Sequence, residues 1–201
     1  MYDKYVKDIM NLYDKEQDEC DALEAKGLSD EEFEKEDDKL HEKYDKLILD
    51  LNKKYNIIFR YDLADAWGMQ ISTLIVTSDK KDNVVCIYDN EGLEMQVEEN
   101  YDKAYFTTDS SKILKILTKY EDKIKKLNEM EDKKTMYIMD GVSNSFYFDI
   151  NGKIYTYEVH NLLARYDDVR EQADLLSDLL TEIRESLVKD VKNIDKCLIL
   201  E

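Results

Sequence analysis

The sequence predicts an α+β fold: a long N-terminal helical hairpin and a long C-terminal helix bundled together, with an antiparallel-rich sheet and one middle helix between them. Three observations predict it. Apolar residues recur at helical spacing over residues 2–55 and again over 161–193, whereas between them the period shifts to strand-like alternation. The chain has no Pro, and its 5 Gly are isolated, so breakers fall only where turns are wanted. Its 43% hydrophobic content, with 15 Tyr, suffices for a core despite a net charge of −18. The expected organisation is an acidic hairpin over 1–55, a mixed β module over 56–160 with a helix near 110–133, and a coiled-coil-like helix over 161–201 packing on the hairpin.

In the first helix Tyr5, Ile9, Leu12, Cys20 and Leu23 form one stripe, and Gly27 stands where a left-handed residue would end it. Ser29 followed by Glu32 is a capping-box pattern, in which the carboxylate bonds back to the cap amide. The second helix carries Phe33, Leu40, Tyr44, Leu47, Leu51 and Tyr55 on one face. The Gly27-Leu28-Ser29-Asp30-Glu31-Glu32-Phe33 turn, with Leu40 beyond it, resembles the turn of SHOCT, a short C-terminal bacterial module; the resemblance implies oligomerisation, although here the turn lies near the N-terminus.

Strands are expected over 70–77, 84–88, 93–98, 104–107, 135–140, 146–150 and 153–159. Trp67-Gly68-Met69, before the first of them, reads as a core plug or an exposed anchor. Asp109 or Ser110 caps the middle helix, whose apolar face is Ile113, Ile116, Leu117, Tyr120, Ile124 and Leu127. Asn151-Gly152 is the strongest hairpin turn, because a type I′ turn needs positive φ at both central residues. A shift of sixty residues aligns Tyr88-Asp89 with Phe148-Asp149 and Gly92 with Gly152, the pattern of a duplicated strand-turn-strand unit. In the last helix Leu176, Leu180, Ile183 and Leu187 continue a seam in steps of four and three, the spacing of a coiled coil.

Catalytic motifs are absent from the sequence. Neither GxGxxG nor GxxxxGK[ST] can be written, and the 2 His stand in no HExxH or other ligand spacing. His41, set among charges, and His160, at the end of a strand, each read as a solvated or capping histidine. Asp149-Ile150-Asn151-Gly152 lacks the first and twelfth ligands of a calcium loop. Ser143 and Ser145 stand near Gly141 without forming GxSxG. No enzymatic activity, cofactor or metal is therefore expected. The 3 Cys are scattered, which suits a reducing compartment; with no apolar leader and no membrane-length apolar run, a cytoplasmic protein is expected. Lys outnumbers Arg 25 to 4, as in a low-GC bacterium or its phage, in which case the location is the host cytoplasm.

Charge is the remaining signal. The first fifty residues carry −10 of the excess. Asp30, Glu34, Asp38 and Glu42 repeat at i, i+4, with Glu31, Asp37 and Asp45 nearby, and Asp14, Asp18 and Asp21 extend a similar band on the first helix. One such band places a carboxylate about every 6 Å, too sparse to copy the ~3.4 Å phosphate spacing of one DNA strand, whereas two neighbouring bands approach it. These ten residues are the candidate partner-binding site. The expected function is an acidic, non-enzymatic inhibitor that occupies the basic nucleic-acid site of a partner such as a CRISPR or restriction nuclease. Direct nucleic-acid binding is excluded by the lack of a broad basic surface, and no membrane partner is expected. The alternative is a coiled-coil scaffold, homodimeric through its helices, whose acidic face is merely solvated.

Overall fold

The computed structural model describes residues 1–65, 70–88, 101–129, 142–160, 170–191 and 194–198. It has the α+β composition expected and divides into two compact units, Met1–Asn56 and Ile57–Glu201.

The first unit is an antiparallel hairpin of α1 (Tyr2–Glu24) and α2 (Asp30–Lys54). At the start of α2 the Glu32 carboxylate accepts from the Ser29 backbone N–H at 3.3 Å and from its hydroxyl at 2.8 Å, the capping contact read from the sequence. These bonds hold the Glu32 carboxyl below its ordinary range. Gly27 (φ 63°) follows α1, and Asn56 (φ 55°) follows α2, each turning the chain in the left-handed region.

The second unit is built on β1 (Ile57–Asp65), β2 (Gln70–Thr77), β3 (Asn83–Tyr88), β4 (Tyr101–Phe106), β5 (Val142–Ile150) and β6 (Lys153–His160). They form one antiparallel sheet in the order β4-β3-β2-β1-β5-β6. Strands expected from residue 70 onward are preceded here by β1, which pairs with β2 and β5 at the centre of the sheet. Its Ile57, Phe59, Tyr61 and Leu63 are buried, and its other face carries Arg60 and Asp62, which pair with each other. Thr73 Oγ1 donates to Asp62 at 2.8 Å, so the charges of a central strand are met without leaving the sheet.

Helix α3 (Ser110–Glu129) and α4 (Arg170–Leu187) supply Ile113, Leu117, Ile124 and Leu176, Leu180, Ile183 to a common core with Phe59, Tyr61, Phe146 and Phe148. From Leu176 to Leu187 the seam of the last helix is thus buried within this unit, in the core it shares with α3 and the sheet. Helix α4 stops at Leu187 rather than continuing to 193. The turn beyond it lets Asp190 accept from Thr108 Oγ1 at 2.8 Å, and brings Val191 and α5 (Ile194–Cys197) into the core. Ser72 Oγ closes the contact on the Cys197 carbonyl at 2.9 Å. Strand β4 begins three residues before the expected 104. The expected strands at 93–98 and 135–140, Trp67-Gly68-Met69, the Gly92 turn of the sixty-residue shift, residues 130–133 of the middle helix and 161–169 of the last lie outside the described residues.

Candidate functional site

The hairpin is held by a ladder of contacts between α1 and α2. At its open end, Tyr5 OH donates to Asn52 Oδ1 at 2.6 Å, and the Tyr5 and Tyr55 rings meet edge to face at 5.3 Å. Both Tyr5 and Asn52 are buried, so this bond satisfies polar atoms that water cannot reach. Asp8 accepts from Lys54 Nζ at 2.8 Å and from Tyr55 OH at 2.9 Å. Those two donors hold its carboxyl below the usual range. Burial, and then the Asp8 contact, push the Tyr55 phenol up to about 12.

Toward the closed end, Glu19 accepts from Lys43 Nζ at 2.6 Å and from Tyr44 OH at 2.9 Å, which likewise lowers its pKa. Beside this level, His41 Nδ1 faces Glu16 Oε1 at 2.9 Å and Nε2 faces Asp37 Oδ2 at 3.4 Å. Cys20 Sγ donates to Asp37 Oδ1 at 3.9 Å. His41 is exposed, as the sequence suggested, and also bridges the two helices. None of Asp8, Glu16, Glu19 or His41 was read as a site residue. The period could have found them, because Glu16 stands between Leu12 and Cys20 on the inward stripe of α1.

Of the ten candidate carboxylates, Asp37 is displaced from the expected outward band. It falls on the seam sequence Phe33, Asp37, Leu40, Tyr44 and is half-buried against α1. Asp21 is exposed and accepts from Gln17 Nε2 at 2.7 Å, one turn earlier on the same helix. Asp14, Asp18, Asp30, Glu31, Glu34, Asp38, Glu42 and Asp45 are exposed, and among the described residues none of them makes an ion pair or side-chain hydrogen bond. Leu47, expected on the seam, is 39% exposed, and the seam passes through Tyr44 and Leu51 instead.

The bands are not neighbours. Successive helical residues turn by about 100°, so Asp14, Asp18 and Asp21 lie about opposite the buried Tyr5 and Ile9, on the outer edge of α1. By the same rule Glu31, Asp38 and Glu42 lie on the side of α2 away from Tyr44 and Leu51. Two helices, each about 10–12 Å across with side chains, therefore set the bands roughly 20 Å apart. Lys35, Lys39 and Lys46 share the outer side of α2, and Lys39 pairs with Glu36 at 2.5 Å. The arrangement copies no single nucleic-acid strand. It is two acidic bands on opposite edges of the hairpin, the one on α2 interspersed with lysines.

Among the described residues no group of three or more His, Cys, Asp or Glu is placed to hold a metal, and no helix is long and apolar enough to cross a membrane. Comparison of the chain with protein-family models, with curated proteins and with solved structures finds no match in any of the three.

Proposed function

We propose that the protein is a non-enzymatic interaction protein whose hairpin occupies the basic nucleic-acid site of a partner enzyme, a nuclease being the type that fits best. One observation carries this reading: eight of the ten candidate carboxylates are exposed with no ion pair or side-chain hydrogen bond, whereas Asp8 and Glu19 are each met by a Lys across the helix pair. A chain that needed acid only for solubility gains nothing from separating the two groups in this way. The unpaired ones repel each other along α2 by a few tenths of a kcal/mol per i, i+4 pair. A basic cleft would relieve that repulsion on binding.

The scaffold alternative needs Leu176, Leu180, Ile183 and Leu187 for self-association. All four are fully buried in the core of their own unit, which weighs against self-association through them.

The test is capture of basic nucleic-acid enzymes from a bacterial lysate by the intact protein, with duplex DNA added as competitor. The expected result is a captured nuclease that DNA displaces and that binds the Glu34→Lys, Asp38→Lys, Glu42→Lys triple variant at least about tenfold more weakly, or ~1.4 kcal/mol. Capture indifferent to both DNA and the charge reversals would overturn the reading.

A further inference from the structure

The middle of the hairpin holds an imidazole between two carboxylates that come from different helices. From α1 it meets Glu16, with the Cys20 thiol beside it; from α2 it meets Asp37, with Asp45 one turn further along. Glu16 and Asp37 are more shielded than the ring itself, their side chains being 18% and 29% exposed against 56% for His41. Among the described residues no Lys or Arg pairs with either carboxylate. The other ion pairs between the helices differ in kind: Asp8–Lys54 and Glu19–Lys43 use amines that stay charged throughout the neutral range.

We propose that His41 is a protonation-dependent clasp of the helical hairpin, closed as the imidazolium and loosened as the neutral ring. The reason is a count of donors. An imidazolium donates from both nitrogens and can serve Glu16 and Asp37 together. A neutral imidazole donates from one only, so its other nitrogen turns a lone pair toward a carboxylate oxygen, and two shielded carboxylates of one sign lose their common cation. That loss falls at positions on the helix–helix seam where the period otherwise calls for apolar side chains. The clasp is a property of the hairpin itself and holds whether or not its outer carboxylates enter a basic cleft.

The direction of the pH effect follows from linkage. The hydrogen bond to Glu16 is the largest influence and raises the His41 pKa; desolvation opposes it, and the charges of Asp37, Glu16 and Asp45 add to the rise, leaving the group above its ordinary 6.5. A group raised in the folded state contributes stability that is fully present below its unfolded value and lost as pH climbs through the folded value. The hairpin is therefore firmest in mildly acidic solution and loosens as pH rises through and beyond neutrality. The Cys20 thiol, its pKa raised by burial and then by Asp37, stays protonated through that window and does not compete as a second anion.

The experiment is a proton NMR titration of the imidazole in the full-length protein, with the two histidine signals assigned by the spectrum of His41→Gln. The expected midpoint for His41 lies above 6.5, shifts down in Glu16→Gln, and shifts down further when Asp37→Asn is added. A midpoint at or below 6.5, or one that neither substitution moves, overturns the proposal. Urea unfolding of the wild type and of His41→Gln, followed by far-ultraviolet ellipticity at about pH 5.5 and about pH 8.5, tests the linkage without either carboxylate variant. The expected outcome is a gap between the two proteins at the lower pH that closes at the higher; a gap of equal size at both sinks the clasp.

Discussion

At the scale of single residues, the hairpin depends on polar atoms that must find each other across two helices. Tyr5 and Asn52 are 2% and 3% exposed, and the phenol donates to the amide oxygen at 2.6 Å. Tyr5→Phe keeps the ring and its edge contact with Tyr55 but leaves Asn52 Oδ1 buried without this donor. The expected loss is about 1–3 kcal/mol of hairpin stability, the cost of an unsatisfied buried acceptor. Tyr44→Phe is the contrast, because Glu19 keeps Lys43 when the phenol is gone, and the exposed pair can still reach water. Its cost should stay below about 1 kcal/mol. Urea unfolding of the two variants side by side checks both, and equal losses would show that burial of the acceptor does not set the cost. Exposure of individual carboxylates was only partly legible in advance. A band at i, i+4 identifies a helix face, but Asp37 shows that one residue in such a band can be claimed by the seam, where the partner helix decides.

Whole elements were legible where pattern and turn chemistry agree. Strand β2 over Gln70–Thr77 has the bounds expected from its apolar run, and the β5–β6 turn at Asn151-Gly152 has φ of 55° and 86°, as a type I′ turn requires. Strand β1 was not singled out, although Ile57, Phe59, Tyr61 and Leu63 alternate without a break. Arg60 and Asp62 argue against a central strand until their pairing with each other and with Thr73 is known, and that pairing is fixed by register, which no local pattern contains. The seam of α4 was visible as a period, but not the fact that α3 and the sheet cover it. The turn yields its own prediction. Nothing lies within 4 Å of a Cβ built on Gly152, so substitution there costs only the positive φ. Gly152→Ala should destabilise the second unit by about 1 kcal/mol, and Gly152→Asn by less, since Asn tolerates the left-handed region. Thermal unfolding of the two variants decides it: an Asn variant worse than the Ala variant would mean that space, not backbone conformation, sets the cost.

For the molecule as a whole, a net charge of −18 with eight unpaired carboxylates among the hairpin's candidates ties stability and binding to ionic strength with opposite signs. Carboxylates in one band stand about 6 Å apart, within a Debye length at both ~0.01 M and ~0.1 M salt, where that length is about 30 Å and 10 Å. The two bands, roughly 20 Å apart across the helix pair, repel at the lower concentration and are screened at the higher. Raising salt over this range should stabilise the free protein, with the melting temperature rising by about 2–4 °C if the relief amounts to ~1 kcal/mol. A complex held by these carboxylates against a basic cleft should weaken over the same range, because salt screens attraction as it screens repulsion. The Glu34→Lys, Asp38→Lys, Glu42→Lys variant should flatten both dependences. A solvated acidic face without a partner predicts only the first trend, so binding that holds or tightens as salt is added, measured beside a rising melting temperature, would detach the hairpin's charge from its recognition.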